Sequence, residues 1–209
     1  KKDSAPGKSG LTFSFYKTFW DQLKHLIKAI ADYSFKTGKL PEVLRQGVIC
    51  LLPKGEKDKR HLSNLRPLTL LNCMYKLISG SISDRLNEKL PNLVSVDQNG
   101  FVKGRSIQES LRNTYDIIHH VNSKKMKSLI LLIDFKKAFD TISHTFVKNT
   151  LKIFNFGNNI IHWVNILLTD FMVCCNNGGH LSRDFKLGRG SKQGDPISTA
   201  LFTLCIEIL

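Results

Sequence analysis

The feature of the sequence that most constrains its fold is a solid apolar run, Leu129 to Ile133, that ends at the carboxylate of Asp134. A continuous apolar run of this length is typical of a β-strand that is covered on both faces. A carboxylate at the end of such a strand is costly unless a cation or hydrogen-bond donors compensate its charge. The sequence therefore predicts a buried strand over residues 129–134 that ends in a charged site. The spacing alone leaves open whether Asp134 binds a metal ion or caps the turn that follows.

Periodic patterns on both sides of this run predict a mixture of helices and strands. Apolar residues recur every three to four positions in several segments, which is typical of amphipathic helices: 15–30, 74–86, 107–121, 146–154 and 160–168. Short apolar runs at 48–52 and 66–71 predict two strands that pair across a charged loop, and Asn176-Asn-Gly-Gly179 predicts the turn of a second hairpin. Asp195 followed by Pro196 predicts the start of a final helix. Together these elements predict an α+β fold.

The charge balance of the chain indicates a polyanionic partner. The 209 residues contain 31 Lys and Arg against 17 Asp and Glu, a formal net charge of +14. A surplus of this size is typical of proteins that bind nucleic acid. No apolar run approaches the roughly 18–20 residues that a membrane-spanning helix needs. The five cysteines show no Cys-x-x-Cys spacing, so they predict neither a disulfide framework nor a zinc ribbon and favour a reducing, nuclear or cytoplasmic environment.

Four motifs, in order along the chain, resemble those of reverse transcriptases. Leu132-Ile-Asp-Phe-Lys-Lys-Ala-Phe-Asp140 resembles the first palm motif of that family, and Gly188-Arg-Gly-Ser-Lys-Gln-Gly-Asp-Pro196 resembles the second. Leu52-Pro-Lys54 with Leu65-Arg-Pro-Leu-Thr-Leu70 is similar to the fingers hairpin, and residues 97–106 are similar to a loop that non-LTR retrotransposon and group II intron enzymes carry between fingers and palm. Four ordered motifs are far more specific than any one of them. The chain therefore resembles the reverse transcriptase domain of long interspersed, non-LTR retrotransposons.

The resemblance implies a right-hand polymerase, with helical fingers that carry a β-hairpin and a palm built on an antiparallel sheet. It places fingers with an N-terminal extension at residues 1–125 and a partial palm at residues 126–209. The third palm motif of the family, an aromatic-x-Asp-Asp hairpin, does not occur in the sequence, so the resemblance implies a domain that is cut before that motif. The implied reaction adds deoxynucleotides to a primer 3′-hydroxyl, and the implied partners are an RNA template, a DNA primer and dNTP. We expect the isolated chain to lack this activity and to bind RNA electrostatically.

The resemblance also assigns residues to the metal ions and phosphates of this reaction. The carboxylate of Asp134 and the carbonyl of Phe135 are the implied ligands of two Mg²⁺ ions, with Asp134 as the catalytic residue. Lys54 and Arg66, on the two sides of the fingers hairpin, are implied to grip the β- and γ-phosphates of the nucleotide. The other cations of the hairpin loop are expected to be solvated: Lys57, Lys59 and Arg60.

Other residues are assigned to the sugar, the base and the nucleic acid. Ala138 and Phe139 are implied to bind the nucleotide, with Phe139 blocking a ribose 2′-hydroxyl, and Gln193 and Gly194 are implied to lie against the nascent base pair. Two residues of the 97–106 loop are implied to contact nucleic acid: Gly104 and Arg105. From the residue types alone, Phe139 is more often a core residue and Gln193-Gly194 an ordinary turn before a helix.

Two other functions are compatible with the sequence. A non-catalytic RNA-binding remnant of a degenerate retroelement would carry the same positive charge and would also lack the paired aspartates. A metal-dependent phosphohydrolase would use Asp134 and Asp140 as its carboxylates and would act without a template.

Overall fold

A computed structural model describes residues 5–56 and 58–209 of the chain; Lys57, which the sequence assigns to a solvated loop, lies outside them. About half of these residues are helical, and none of the described helices is long and apolar enough to cross a membrane. The helices within the described ranges are α1 Phe13–Thr18, α2 Trp20–Thr37, α3 Cys73–Leu93, α4 Ile107–Ser123, α5 Ala138–Thr141, α6 His144–Ile153, α7 Asn158–Leu168 and α8 Ser198–Glu207. The strands are β1 Gln46–Pro53, β2 Leu65–Leu71, β3 Met172–Asn177, β4 His180–Leu181 and β5 Phe185–Lys186.

The strands form one mixed sheet in the order β2-β1-β3-β4, with β5 also paired to β3. β1 and β2 are antiparallel, with Cys50 opposite Leu68, and this confirms the first predicted hairpin, which the resemblance assigns to the fingers. β3 and β4 are antiparallel around Gly178 and Gly179, which both have positive φ, and this confirms the second predicted hairpin. β1 and β3 run parallel, with Val48 opposite Cys174, so the sheet as a whole is mixed. The strands within residues 126–209, where the resemblance places an antiparallel palm sheet, pair antiparallel, β3 with β4 and β3 with β5.

The hydrophobic core lies between this sheet and helices α3, α6, α7 and α8. Its fully buried side chains include Leu86 of α3, Leu151 of α6, Leu167 of α7 and Leu204 of α8. The core and the sheet draw on residues from both sides of position 125, where the resemblance divides fingers from palm. That division therefore remains a prediction about subdomains, because the larger core cluster spans it. A second, smaller cluster is formed by Tyr16 of α1, Ile27 of α2 and Cys73 of α3.

Most helices follow the predicted patterns, with two differences at their ends. The pattern at 15–30 is divided between α1 and α2 at Phe19, and α2 ends at Gly38, whose left-handed φ of 72° terminates the helix. The final helix begins at Ser198 rather than at Pro196. The carboxylate of Asp195 does accept a hydrogen bond from the backbone amide of Ile197, at 3.4 Å, but most of its bonds go elsewhere, as described below.

The strand predicted over residues 129–134 is wrong. Residues 127–135 form no helix or strand, and the side chains of Leu129 and Leu132 are each 90% exposed. The physical reason is that a strand needs a neighbour to pair its backbone groups, and no described strand pairs with this segment. The adjacent helix α4 likewise buries none of its side chains. The charge of Asp134 is consequently exposed to solvent rather than buried.

Candidate functional site

The loop formed by residues 188–196 joins β5 to α8 and folds back onto two distant segments of the chain. The backbone amides of Gly190 and Ser191 donate to the carbonyls of Ile142 and Phe139, each at 2.7 Å. The carbonyl of Gln193 accepts from the backbone amide of Thr69 in β2 at 2.8 Å. β2 is an edge strand of the sheet, so the loop occupies its free edge. The first palm-type motif, the second palm-type motif and the fingers-type hairpin therefore meet at this loop.

Two glycines make these close approaches sterically feasible. Gly190 has a φ of +78°, and a Cβ on it would lie 2.7 Å from the carbonyl oxygen of Asp140. Gly194 has a φ of +107°, and a Cβ on it would lie 2.8 Å from the carbonyl oxygen of Thr69. Both features disfavour any residue that carries a Cβ. The glycine at position 194 is thus required by the backbone of β2, whereas its predicted approach to a base pair remains a prediction.

The side chain of Gln193 lies next to Asp140. Its amide nitrogen Nε2 donates to Asp140 Oδ1 at 3.4 Å, and both residues are half-buried. Asp140 is therefore the carboxylate that the structure places beside the 188–196 loop. The predicted catalytic residue, Asp134, lies outside α5 in the exposed segment that precedes it.

Phe139 packs between two other aromatic side chains. Its ring centroid lies 4.5 Å from that of Phe202 in α8, and 6.2 Å from that of Phe101 in an edge-to-face arrangement. Phe139 and its neighbour Ala138 are both half-buried, at the start of α5. The aromatic side chain therefore has a packed face against α8 and a remaining accessible part, so both interpretations of Phe139, as packing residue and as nucleotide contact, are compatible with its position.

The predicted metal ligands do not form a metal site within the described residues. Mg²⁺ requires several oxygen ligands, usually with more than one carboxylate in a two-ion site. Asp134 and Phe135 are both exposed, and Asp134 makes no hydrogen bond or ion pair with any other described residue. No group of three or more His, Cys, Asp or Glu side chains that could hold a metal ion occurs in residues 5–56 and 58–209. The donor set present in these residues therefore does not fit two Mg²⁺ ions.

The predicted phosphate ligands lie at the end of the β1–β2 hairpin that carries the connecting loop. Arg66 is opposite Leu52 in the strand register, and the backbone amide of Lys54 donates to the carbonyl of Asn64 at 2.8 Å. The ammonium of Lys54 donates to the carbonyl of Ser63 at 2.9 Å. Arg66 is exposed and forms no ion pair with any described residue. Its guanidinium is therefore available to an external anion.

The other cations of this hairpin loop differ in their availability. Arg60 forms an ion pair with Asp58 at 2.9 Å, and hydrogen bonds from Arg60 hold the pKa of the Asp58 carboxyl below its usual value. Both partners are exposed, so this pair contributes little to stability. Lys59 is also exposed, as expected for a solvated loop.

Arg105 has a structural role that the sequence did not reveal. Its guanidinium donates to the carbonyls of Pro91 at 2.8 Å, Gln98 at 2.9 Å and Val94 at 3.4 Å, and also to that of Ser95. These carbonyls lie at and just after the C-terminal end of α3, where unpaired carbonyls need donors. The neighbouring Gly104 has a φ of +83°. Contact of Gly104 and Arg105 with nucleic acid remains a prediction, and the guanidinium of Arg105 is already engaged by backbone.

The 188–196 loop also contains a buried charged cluster that sequence reasoning missed. The ammonium of Lys192 lies 3.3 Å from the carboxylate of Asp195, and Asp195 accepts hydrogen bonds from the hydroxyls of Tyr75 and Ser79. Burial lowers the pKa of Lys192 and raises that of Tyr75 well above its ordinary value. Sequence reasoning missed the cluster because a lysine in a loop is normally exposed. The one sequence signal for it is that Lys192 and Asp195 flank Gln193-Gly194.

His144 forms a further contact with this loop. Its Nε2 donates to the carbonyl of Gly190 at 2.9 Å, and burial lowers the pKa of the imidazole. The loop is therefore held by residues of α3, α6 and β2 together with the segment around Phe139.

Comparison with known proteins identifies the family. The family described as reverse transcriptase (RNA-dependent DNA polymerase) matches residues 53–209, which is more than half of the chain and includes the motifs discussed above except Leu52. The chain belongs to the reverse transcriptase family.

Individual relatives place it among the sequences of non-LTR retrotransposons. Over 205 residues, 98% of this chain, it is 32% identical to the transposon TX1 uncharacterized 149 kDa protein of Xenopus laevis. It is 25% identical over 206 residues to the Pol polyprotein of the type-2 retrotransposable element R2DM of Drosophila melanogaster, and 26% identical over 211 residues to that of a type-1 element R2 of Popillia japonica, covering 99% and 100% of this chain. The predicted resemblance to non-LTR retrotransposon proteins is thereby confirmed. The chain spans 16%, 19% and 28% of the length of these three relatives.

Proposed function

We propose that the chain is the part of an RNA-directed DNA polymerase that holds the incoming dNTP against an RNA template and a DNA primer. The observation that carries this proposal is the docking of the 188–196 loop, which brings Phe139, Gln193 and the edge of β2 together through the backbone bonds of Thr69 and Ser191. Three motifs that are separate in sequence thus contribute to one surface. Such convergence is expected of a binding site and is not needed for an ordinary turn.

Each part of this surface suits a different part of a nucleotide. Gly194 is exposed and has no Cβ, so a base pair can approach the backbone of the turn closely. Phe139 presents a partly accessible aromatic ring for the sugar. Arg66 lies three residues before Thr69 on β2, roughly 10 Å along the strand, where an unpaired guanidinium can bind phosphate oxygens. The proposed nucleotide extends from the turn towards the end of the hairpin.

Mg²⁺ remains the proposed cofactor of the reaction, by the family resemblance. The described residues do not complete its site, so the proposed contribution of this chain is binding and discrimination of the nucleotide. That contribution rests on Phe139, Gln193, Gly194 and the two hairpin cations, and it can be measured without turnover.

The RNA-binding remnant remains the second candidate, because a net charge of +14 and an exposed Asp134 are also what a non-catalytic RNA-binding protein would show. The phosphohydrolase has no such support. Asp140 accepts a hydrogen bond from Gln193, and neither Asp134 nor Asp140 belongs to a metal-binding group among the described residues. Nucleotide discrimination separates the first two functions, since a remnant has no reason to distinguish dNTP from rNTP.

Substitution of Phe139 by valine is expected to abolish most of that discrimination, because the smaller side chain leaves room for a 2′-hydroxyl. The measurement is photolabelling of the chain by 8-azido-dATP in the presence of an oligo(dA) primer on a longer oligo(rU) template, with unlabelled dATP or ATP as competitor. We expect dATP to compete about tenfold better than ATP in the parent chain and equally well in Phe139→Val. Phe185→Val, at an exposed phenylalanine of β5, is the matched control and should keep the parent ratio. A parent-like ratio in Phe139→Val would show that Phe139 only packs.

Substitution of Arg66 by alanine is expected to weaken nucleotide binding about tenfold, or ~1.4 kcal/mol, the size of one charge-assisted hydrogen bond. The assay is the same labelling reaction, titrated with dATP and separately with deoxyadenosine, which lacks the phosphates. Arg66→Ala should affect only the dATP titration. Arg60→Ala is the control, since Arg60 is on the same hairpin but already paired with Asp58. Equal losses in both variants would indicate a general charge effect instead of a phosphate contact.

A further inference from the structure

We propose that the buried ion pair between Lys192 and Asp195 fixes the position of the Gln193–Gly194 turn, and that Lys192 and Asp195 are therefore positioning residues for the nucleotide. The inference deepens the proposed function and rests on it for its consequence, because the turn is the proposed contact of the base pair. Its structural part, that the pair holds the turn on β2, stands on separate observations.

The pair brackets the turn directly. Lys192 precedes Gln193 and Asp195 follows Gly194, and the backbone amide of Asp195 donates to the carbonyl of Lys192 at 3.0 Å. The side chains of the pair are only 3% and 1% exposed, and their charged groups lie 3.3 Å apart. In contrast, Gln193 is half-buried and Gly194 is exposed. The turn therefore has a charged, buried inner side and an open outer side.

The two charged groups are anchored to different elements of the core. Asp195 Oδ2 accepts from the hydroxyl of Tyr75 at 2.6 Å, and Oδ1 accepts from the hydroxyl of Ser79, both on α3. The ammonium of Lys192 donates to the carbonyl of Leu167 at 3.0 Å and lies 4.3 Å from the centre of the Phe171 ring. The inner side of the turn is thus tied to α3, to the end of α7 and to the start of the segment that leads into β3.

Stability alone is a poor explanation for this cluster. Removing two charges from water costs several kcal/mol each, so that well-packed apolar residues of similar volume often stabilise a fold as well or better. Hydrogen bonds and ion pairs are directional, whereas apolar contacts tolerate sliding. A cluster that binds both ends of a two-residue turn to separate core elements therefore determines where the turn lies. The hydrogen bond from the backbone amide of Thr69 to the carbonyl of Gln193 forms only when the turn lies against β2, so protection of that amide measures the position of the turn.

The test compares one disruptive and one compensating variant of the 209-residue chain. Lys192→Met removes the cation and leaves Asp195 buried without it, and Lys192→Met/Asp195→Leu replaces the pair by an apolar one. Amide hydrogen exchange of Thr69, referenced to the amide of Val173 in the middle of the sheet, measures docking of the turn. Thermal unfolding measures stability, and 8-azido-dATP labelling measures nucleotide binding. Lys186→Met, at an exposed ion pair with Asp170, is the control.

We expect the double variant to unfold near the parent temperature while Thr69 exchanges at least about tenfold faster than in the parent and labelling falls by a similar factor. Tyr75→Phe, which removes one hydrogen bond to Asp195 and keeps the ring, should produce a smaller change in the same direction. Parent-like exchange of Thr69 in the double variant and in Tyr75→Phe would overturn the inference, even if Lys192→Met alone does not fold. If Thr69 exchange rises but labelling is unaffected, the pair positions the turn and the proposed nucleotide contact of the turn is wrong.

Discussion

Replacing Gly194 by alanine is expected to destabilise the docked turn by roughly 1–3 kcal/mol, the usual cost of a residue forced into a disfavoured backbone conformation. Two causes act together. The φ of +107° is one that residues with a Cβ rarely adopt, and the new Cβ would lie 2.8 Å from the carbonyl oxygen of Thr69. That oxygen belongs to the backbone of a paired strand and cannot move aside as a flexible side chain would. The turn must therefore separate from β2, and with it the Gln193 carbonyl from the Thr69 amide.

Urea unfolding and 8-azido-dATP labelling measure the two consequences of this substitution, loss of stability and loss of the nucleotide contact. Gly188→Ala is the matched control, because Gly188 lies in the same loop, has no positive φ, and a Cβ there would meet no atom within 4 Å. We expect the control to stay within about 0.5 kcal/mol of the parent and to label normally. If both variants behave alike, the loop is loosely held and the contact between Gly194 and β2 does not matter.

The sequence predicted those parts of the fold that depend on neighbours in the chain. The spacing of apolar residues located α3, α4, α6 and α7, and the Asn-Asn-Gly-Gly turn located the β3–β4 hairpin, because helix periodicity and turn conformations are local properties. The prediction that 48–52 pairs with 66–71 succeeded although the connecting loop covers residues 54–64, because strands that follow each other in the chain commonly pair. The parallel pairing of β1 with β3 had no local signal, because more than a hundred residues separate the two strands.

The failed strand at 129–134 shows the limit of hydrophobicity as evidence. An apolar run indicates a segment whose burial would lower the free energy of the folded chain, but it does not indicate which surface covers the segment. In the structure the run and the adjacent helix α4 together expose Leu129, Leu132, Leu111 and Tyr115, all more than half accessible. The prediction that Asp134 ends a buried strand fails with the strand.

The candidate site was predicted in part, because motif resemblance selected Phe139, Gln193 and Gly194 and the structure brings these residues to one loop. The resemblance gave no indication that Arg105 is engaged by four carbonyls near the end of α3, or that Lys192 is buried. The resemblance assigned Arg105 to nucleic-acid contact and gave Lys192 no role. Partners that lie far apart in sequence decide whether an Arg or Lys is free to bind an anion, and only the folded structure supplies them.

The isolated chain is expected to bind single-stranded RNA with a steep salt dependence and to incorporate no dNTP. A net charge of +14 attracts the RNA backbone, and each phosphate that is neutralised releases condensed counterions and adds about −0.7 to the slope of log affinity against log salt concentration. The two-metal reaction that the resemblance implies requires ligands for both ions, whereas Asp134 is exposed and belongs to no metal-binding group in the described residues.

Fluorescence anisotropy of a labelled oligo(rU) across a salt titration, and primer extension on the same template with Mg²⁺, test the two halves of this expectation on one preparation. A slope near zero would show that the charge surplus does not contact RNA phosphates. Incorporation that disappears in Asp134→Asn would show that the chain completes a metal site through residues that this structure does not bring together, and would overturn the second half. Incorporation that persists in Asp134→Asn would show that the activity does not depend on Asp134. Asp140→Asn then separates the two remaining sources, because loss of incorporation assigns it to Asp140, the other carboxylate of the first palm-type motif, and persistence assigns it to a contaminating polymerase.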